Sequence, residues 1–341
     1  QLLYTLCLYL KYTSMKRILC IGNNLVKHGN TATSIVVMGE MFEREGYVVY
    51  YASSKQHKLL RMMDMILKTI RYGSKVDYVL IDTYSTVNFW YALIISQLCR
   101  LMKVKYIPKL LGGDLPNRLN KSRFWCDLIF KNAYQNVAPS PYLFTAFSKL
   151  GYKNLVLIPN SIDLGNYSFH KKKFDVPKIL WVRSFAQLYN PVLAVKVLLA
   201  IKNKYPMAQL CMVGPKKDES YESTVDFATQ NNVEVTFTGK LSKKEWADLS
   251  QRYNLFLNTT HFDNTPVSVI EAMALGLPII STNVGGIPYL LQHEKNALLV
   301  NDNDLDGMVA QIERLFSEPH LANNMVSNAR DLVQGFDWNI I

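Results

Sequence analysis

The feature that most constrains the fold of this chain is the alternation of short, apolar, β-branched runs with amphipathic stretches of helical length. This alternation is typical of βα units, whose strands pair into a parallel sheet. It occurs in two series along the chain. In the first series, strands are predicted at residues 17–21, 47–51, 78–81, 106–110, 136–139 and 155–158. In the second, they are predicted at residues 178–182, 209–213, 234–238, 255–257, 278–281 and 297–300.

The stretch between the two series, residues 160–176, has no apolar periodicity. The full length of 341 residues also exceeds what one hydrophobic core usually supports. We therefore predict two Rossmann-like domains, residues 15–165 and 166–341, joined by this stretch. Ligands of open α/β sheets bind beyond the carboxyl ends of the strands, so two such domains predict a ligand cleft between them.

The two ends of the sequence carry separate predictions. Residues 1–14 have an apolar stretch too short to span a bilayer, and Met15 directly precedes the first strand. We interpret them as a leader or as sequence upstream of the true start. The last residues, GFDWNII, have no helix-ending signal, which indicates truncation at that end.

The positive charge is confined to the first half of the chain. Residues 1–165 hold 21 Lys and Arg against 9 Asp and Glu, whereas residues 166–341 hold 17 against 18. This asymmetry suggests an anionic partner for the first domain, either a membrane surface or a phosphorylated acceptor. A solvated surface that keeps the protein in solution is the alternative. We predict no nucleic-acid partner.

Two further features bear on where the protein works. The five cysteines are scattered without a CxxC pair, which predicts buried free thiols in a reducing compartment such as the cytoplasm. Residues 87–102 are apolar nearly all round, but Asn88, Ser96, Gln97 and Arg100 interrupt them. A buried core helix therefore explains this segment better than membrane insertion.

The segment most informative about chemistry is residues 261–288, HFDNTPVSVIEAMALGLPIISTNVGGIP. A strand is followed by polar residues, and Pro266 is predicted to occupy the first position of a helix, where its missing N–H costs nothing. The free N–H groups of that helix end would bind an anion. Asp263 stands just before the helix and Glu271 stands within it, so the two carboxylates can reach different parts of one ligand.

This segment resembles the donor-binding signature of family 4 of the retaining glycosyltransferases, which have the GT-B fold of two facing Rossmann-like domains. The signature comprises two carboxylates, an Ala-Met-Ala-x-Gly-x-Pro run and a Gly-Gly pair. Here these are Asp263, Glu271, residues 272–278 (AMALGLP) and Gly285-Gly286. Residues 158–163 (IPNSID) also resemble the family's interdomain junction. Ser140-Pro141 resembles the residues that follow the fifth strand in members of the family.

The resemblance implies roles for residues of the second domain. Glu271 would hold the donor ribose, and Asp263, an Asp where the family more often has Glu, would hold hydroxyls of the transferred sugar. The backbone of Asn264, Thr265, Pro266 and Val267 would cradle the diphosphate. Gly214, Gly239 and Lys240 lie where the family contacts the base, although ordinary loop glycines explain that pattern nearly as well.

Arg183, at the end of the seventh strand, resembles the phosphate-neutralising Arg of the family. Relatives usually have a Lys five or six positions later. Here the corresponding residues are Leu188 and Tyr189, so the second cation is missing. We count Tyr189 among the candidate phosphate contacts because it can donate one hydrogen bond.

In the first domain the candidate residues lie after the first and fourth strands. Gly22 and Asn23 are candidates for approaching the phosphates. Gly113 and Asp114 lie where relatives have a residue close to the reacting sugar, and Asp114 is the candidate to orient the acceptor hydroxyl or take its proton. A turn-capping Asp is the alternative. Arg118 is a candidate phosphate contact in the acceptor region.

We predict no metal and no cofactor beyond a UDP- or GDP-linked sugar as co-substrate. Asp302-Asn303-Asp304 matches a DxD metal motif, but it directly precedes a predicted helix, so helix capping is the better interpretation. The predicted function is metal-independent, retaining transfer of a sugar to a hydroxyl acceptor. The acceptor would be a lipid-linked molecule or a saccharide, and the reaction would serve polysaccharide or glycolipid synthesis. The predicted location is the cytoplasm, with peripheral attachment to the inner face of the membrane as a further expectation. The alternatives are a nucleotide-sugar 2-epimerase and an inactive carbohydrate-binding homologue.

Overall fold

The computed structural model describes residues 16–26 and 33–341. The predicted leader, residues 1–14, lies outside the described residues. The chain divides into two compact units, the first ending at Ile158 and the second running from Pro159 to Ile341.

The first unit is built on a six-stranded parallel sheet with the order β2-β1-β3-β4-β5-β6. Its strands are β1 (Arg17–Ile21), β2 (Val48–Ala52), β3 (Tyr78–Thr83), β4 (Tyr106–Leu110), β5 (Asn136–Ala138) and β6 (Leu155–Leu157). Its helices are α1 (Ser34–Arg44), α2 (Lys58–Tyr72), α3 (Asn88–Leu101), α4 (Leu115–Lys121), α5 (Arg123–Phe130) and α6 (Pro141–Lys149).

Helix α3 provides much of the core of the first unit. Phe89, Ala92, Ile95 and Cys99 recur at helical spacing and are fully buried. The prediction of a core helix is therefore confirmed. No helix within the described residues has the length and apolar character needed to cross a membrane.

The second unit contains another six-stranded parallel sheet, with the order β12-β11-β10-β7-β8-β9. Its strands are β7 (Lys178–Val182), β8 (Gln209–Val213), β9 (Thr236–Gly239), β10 (Leu255–Asn258), β11 (Ile279–Thr282) and β12 (Leu298–Val300). Its helices are α7 (Pro191–Ile201), α8 (Ser220–Gln230), α9 (Lys243–Leu249), α10 (Val267–Ala274), α11 (Ile287–Leu290), α12 (Leu305–Ser317) and α13 (Pro319–Gln334).

The central strands of this sheet are buried on both faces, as parallel strands covered by helices must be. All twelve predicted strands are present, several of them with shifted ends. The largest shifts are two residues, at the end of β3, which extends to Thr83, and at the start of β9, which begins at Thr236. A turn with Asn232 in the left-handed region (φ 51°) delays the strand.

The boundary between the units falls seven residues before the position that the sequence suggested. Residues 159–176 are not a free linker, because they pack on the second unit. Ile162 donates a backbone hydrogen bond to Phe336 and accepts one from Trp338, both at 2.9 Å. Tyr167 is buried in the same unit. Residues 159–176 lack apolar periodicity because their backbone is irregular, although hydrogen bonds anchor it to the second unit.

The cysteines that the structure describes are Cys20, Cys99, Cys126 and Cys211, and all four are buried free thiols. Cys7 lies outside the described residues. Burial raises the pKa of the thiols. The prediction of buried free thiols is therefore confirmed for these four.

Candidate active site

The candidate site of the second unit lies at the carboxyl edge of its sheet. Strands β10, β7 and β8 are neighbours there. Arg183 directly follows β7, Gly214 directly follows β8, and Asp263 lies in the loop after β10. Parallel strands bring the loops at their carboxyl ends together, so residues far apart in sequence meet at this edge.

Arg183 and Asp263 form a direct ion pair between the guanidinium Nη2 and the carboxylate Oδ2. Their side chains are only 12% and 16% exposed, so little solvent screens the pair. Burial lowers the pKa of Arg183 from its ordinary value by disfavouring the charged form. A buried cation such as Arg183 requires an opposite charge nearby, and Asp263 supplies it.

The position that the sequence identified as lacking a cation is filled by an aromatic ring. The guanidinium carbon of Arg183 lies 4.2 Å from the centre of the Tyr189 ring. This cation–π contact holds the flat guanidinium from one side. The backbone oxygen of Tyr189 accepts a hydrogen bond from Thr259 Oγ1 at 2.8 Å, which ties the residue to the end of β10.

Packing requires glycine at position 214, for a reason that the sequence did not reveal. The φ of Gly214, +155°, lies in the range that glycine favours, and a Cβ atom there would overlap the carbonyl oxygen of Arg183. The amide of Arg183 in turn donates to the carbonyl of Val213 at 3.0 Å. Gly214 therefore lets the backbones after β7 and β8 approach closely and fixes where the side chain of Arg183 begins.

The Gly285-Gly286 pair supports the loop that carries Asp263. The amide of Gly286 donates to the carbonyl of Asp263 at 2.8 Å. A Cβ atom on Gly285 would overlap that same carbonyl, and one on Gly286 would overlap the carbonyl of Asn264. The glycines thus allow the loop after β11 to lie directly against the carboxylate loop.

Gly286→Ala should therefore destabilise the protein, by about 1–3 kcal/mol, because the added methyl group forces the Asn264 backbone to move. The φ of Gly286 is an ordinary −86°, so the effect is purely steric. Urea unfolding of the variant and the wild type measures it.

Gly239→Ala is the matched control for this experiment. Gly239 has a φ of +70° but no atom within 4 Å of the added Cβ, so only backbone strain of about 1 kcal/mol is expected. A Gly286→Ala variant no less stable than Gly239→Ala would contradict the close packing of the two loops.

Helix α10 begins at Val267, and Pro266 is its N-cap residue with φ −69° and ψ 114°. The prediction that Pro266 is the first helical residue is therefore one position early, because its ψ is extended rather than helical. Asn264 and Thr265 are buried beside it. The carbonyl of Thr265 accepts from Asn160 Nδ2 at 3.3 Å. The hydroxyl of Ser268, in the first turn, is buried and has no hydrogen-bond partner among the residues that the structure describes.

Glu271 is only 2% exposed, and two side chains contact its Oε1. The hydroxyl of Tyr167 donates to it at 2.8 Å, and the ammonium of Lys243 pairs with it. Burial and the Glu271 carboxylate both raise the pKa of Tyr167. Neither Tyr167 nor Lys243 was predicted as a partner of Glu271. The only available signal for Lys243 was its place after Ser242 in a capping box that begins α9.

The two remaining candidates of the second unit lie at the end of β9. The carbonyl of Gly239 accepts from the amide of Gly214 at 2.9 Å, which brings these two loops together. Lys240 follows and is exposed. Gly214 and Gly239 therefore lie side by side at the edge that also carries Arg183.

In the first unit, Gly22 lies against a buried charged group. A Cβ atom on Gly22 would come within 3.0 Å of Asp82 Oδ2. Burial raises the pKa of Asp82 to about 7 and lowers that of the neighbouring Lys109 to about 8. The side-chain oxygen of Asn23 accepts from Arg61 at 3.0 Å, so this predicted phosphate contact is already held by a buried arginine.

Asp114 is exposed at the N-cap position of α4, and its side chain makes no capping bond to the backbone. Its carboxylate instead accepts from Asn117 Nδ2 at 2.6 Å. Gly113 precedes it and is half-buried. The guanidinium carbon of Arg118 lies 4.2 Å from the centre of the Phe89 ring, so this candidate phosphate contact is stacked on an aromatic side chain.

Asp302-Asn303-Asp304 caps a helix, as predicted. Asp304 is the N-cap of α12, and its carboxylate accepts from the amide of Gly307 at 2.8 Å. Asp302 pairs with His261 at 2.8 Å. Across residues 16–26 and 33–341, no three His, Cys, Asp or Glu side chains are grouped to hold a metal ion.

Comparison with known proteins identifies the class of the second unit. Residues 167–332 match the family model described as glycosyl transferases group 1. This part of the chain is therefore similar in sequence to the group 1 glycosyltransferases. The sulfoquinovosyl transferase SQD2 of Arabidopsis thaliana is 26% identical over 151 residues, which are 42% of this chain and 28% of that protein.

A second relative supports the same family. The N-acetyl-alpha-D-glucosaminyl L-malate synthase of Bacillus anthracis is 34% identical over 29% of this chain and 26% of its own length. The chain thus matches less than one third of either relative's length.

Solved structures show the fold. Sucrose-phosphate synthase from Thermosynechococcus elongatus superimposes with a TM-score of 0.79 at 18% identity, covering 95% of this chain and 96% of that one. HepE from Anabaena, solved with UDP-glucose, gives a TM-score of 0.75 at 16% identity over 94% and 95% of the two chains. The predicted GT-B fold, with two Rossmann-like units, is confirmed.

Proposed function

We propose that this protein is a glycosyltransferase that moves a sugar from a nucleoside-diphosphate sugar to a hydroxyl acceptor. The observation that carries the proposal is the buried ion pair of Arg183 and Asp263 at the carboxyl edge of the second sheet, with Glu271 buried in the helix that follows the Asp263 loop. The surrounding residues are similar to the group 1 glycosyltransferases. HepE, which has the same fold, was solved with UDP-glucose. That supports a UDP-linked donor here, with a GDP-linked donor as the alternative.

The donor would lie along helix α10 and the loop that precedes it. Its ribose would meet Glu271, while Gly214, Gly239 and Lys240 would lie along the base. Free N–H groups at the start of α10 would bind the diphosphate, because they are unpaired in the helix and lie at the positive end of its dipole. The segment from Asn264 to Val267 leads into that helix end.

The chemical step requires stabilisation of the charge that develops on the departing diphosphate. Arg183 is the candidate to supply this stabilisation, together with the helix end. Asp263 pairs with Arg183. A bound donor would replace that partner with phosphate oxygens. Asp263 would then be released to accept hydrogen bonds from hydroxyls of the transferred sugar. Retention of the anomeric configuration follows from the resemblance to family 4.

The first unit would contribute the acceptor side. Asp114 is exposed, and its Oδ1 accepts from Asn117. The other carboxylate oxygen would receive the acceptor hydroxyl. The acceptor would be a lipid-linked sugar or a growing saccharide at the inner face of a membrane. The net charge of +12 on residues 1–165 supports binding of the first unit to an anionic membrane surface.

The test is a donor panel read out as released nucleoside diphosphate, with and without saccharide or lipid-linked acceptors. Release that depends on acceptor supports transfer. Interconversion of the nucleotide-sugar without release would show a 2-epimerase. Binding without either reaction would show an inactive carbohydrate-binding homologue.

Activity should persist in excess EDTA, because Arg183 and the helix N–H groups are expected to offset the diphosphate charge without a divalent ion. The measurement is turnover before and after chelation, then after addition of Mg²⁺ or Mn²⁺. Complete loss on chelation with recovery on adding metal would contradict this assignment.

A further inference from the structure

Helix α2 of the first unit exposes an unusual set of apolar side chains. Leu59, Leu60, Met63, Leu67 and Ile70 are 52–71% exposed. Successive residues of a helix are about 100° apart around its axis, so these five fall within an arc of about 100°. We refer to this arc as the α2 stripe. The opposite side of the helix is buried through Arg61, Met65 and Thr69.

The neighbouring helices also expose apolar side chains. Helix α3 packs beside α2 and α5 packs beside α3. Helix α3 exposes Trp90, Ile94 and Leu101, and α5 exposes Phe124 and Trp125. The ring centres of Trp90 and Trp125 lie 5.9 Å apart, which joins α3 and α5 at the surface. Exposed apolar side chains grouped on adjacent helices indicate an interaction surface.

The charged residues in and beside α2 are mostly positive. Residues 55–75, which include α2, contain six Lys and Arg and a single acidic residue, Asp64. Asp64 already pairs with Lys68 at 3.2 Å. Lys58, Arg71 and Lys75 are exposed at the two ends of the helix.

We propose that the α2 stripe, with the exposed aromatic side chains of α3 and α5, inserts into the interface of an anionic lipid bilayer. An apolar helix face bordered by basic residues is the composition of helices that lie in the membrane plane. Tryptophan favours the same interfacial depth. Charge selects this partner over a second copy of the chain, because a symmetric contact would bring like-charged borders together.

This proposal goes beyond general attraction between a basic domain and anionic lipid. Purely electrostatic binding disappears as salt shortens the screening length from about 10 Å at 0.1 M to about 3 Å at 1 M. Insertion of apolar side chains adds a contribution that salt does not screen. The proposal does not depend on the donor chemistry of the second unit.

The experiment measures co-sedimentation of the full chain with phosphatidylcholine vesicles, with and without phosphatidylglycerol, at about 0.1 M and about 1 M NaCl. The test variant is Leu59→Gln/Met63→Gln/Leu67→Gln. Gln matches Leu and Met in helix propensity and leaves the net charge unchanged, so α2 should stay folded. Met63→Gln and Met207→Gln form a matched pair, since Met207 is 70% exposed in the second unit.

We expect the wild type to bind phosphatidylglycerol vesicles and to retain measurable binding at high salt. The triple variant should partition at least about tenfold more weakly, because three apolar side chains no longer leave water. Met63→Gln should weaken binding and Met207→Gln should not. Donor turnover without vesicles should be unchanged in all variants, which separates this proposal from the proposed function.

Three results would overturn the proposal. One is a triple variant that binds as the wild type does. Another is complete loss of wild-type binding at high salt, which would show attraction without insertion. The third is a wild-type dimer that the triple variant converts to a monomer, without vesicle binding, which would identify a second copy as the partner.

Discussion

Arg183→Ala should lower turnover at saturating donor by about 10²–10³-fold, and by the upper end of that range or more. Removal of one preorganised charge stabiliser typically costs this much. The structure gives the reason for the upper end, since Tyr189 occupies the place where a second cation was expected and supplies only an aromatic ring. Arg183 would therefore carry charge stabilisation that relatives divide between two side chains.

A second substitution tests that reasoning. Tyr189→Lys should partly restore turnover in the Arg183→Ala background, because a Lys from the same backbone position can extend through the volume that the guanidinium leaves. In the wild-type background the same change should lower turnover, since it removes the stacked ring and places two cations together. Tyr189→Phe is the control, because it keeps the ring and removes only the hydroxyl.

The measurement is a double-mutant cycle in turnover with Arg183→Ala, Tyr189→Lys and the combination. A mild loss in Arg183→Ala would point to a second cation that the sequence did not identify. Absence of rescue would mean that position 189 does not correspond to the missing Lys.

Glu271→Gln should weaken donor binding by about 10- to 150-fold, equivalent to the roughly 1.5–3 kcal/mol of one charge-assisted hydrogen bond. Gln has nearly the same shape and can still accept from Tyr167, so the fold should persist. Calorimetric titration with the nucleoside diphosphate alone measures the loss.

Lys243 provides the control for this titration. Lys243→Met removes the ammonium that pairs with Glu271 but leaves the carboxylate and the Tyr167 contact in place. If Glu271 binds the ribose, Lys243→Met should change affinity much less than Glu271→Gln. Wild-type affinity in Glu271→Gln would contradict the ribose assignment.

Most of the fold could be predicted because parallel strands buried on both faces leave a strong local pattern. The runs at residues 178–182 and 209–213 are continuous and apolar, and they match β7 and β8 at both ends. Strand ends are less determined by local sequence, as the two-residue shifts at the end of β3 and at the start of β9 show. The domain boundary was misplaced because anchoring of residues 159–176 depends on partners near the far end of the chain, around Phe336.

The positions of Asp263 and Glu271 around α10 were predictable, because spacing along one segment sets them, whereas their roles stay predictions. The contacts of the candidate site were not predictable where they join distant segments. Arg183 and Asp263 are 80 positions apart, and Tyr167 and Glu271 are 104 apart. No local pattern records such pairings, since they depend on how the loops of several strands converge.

The anchoring of residues 159–176 also decides how the protein can be divided for separate expression. Asn160 holds the carbonyl of Thr265, and Ile162 pairs with the segment around Asp337. A C-terminal fragment that starts at Pro159 keeps both connections. A fragment that starts at Asn166 loses both connections, although it retains every residue proposed to bind the donor. Weak nucleotide binding by that shorter fragment would therefore reflect the lost connections and not the affinity of the intact enzyme.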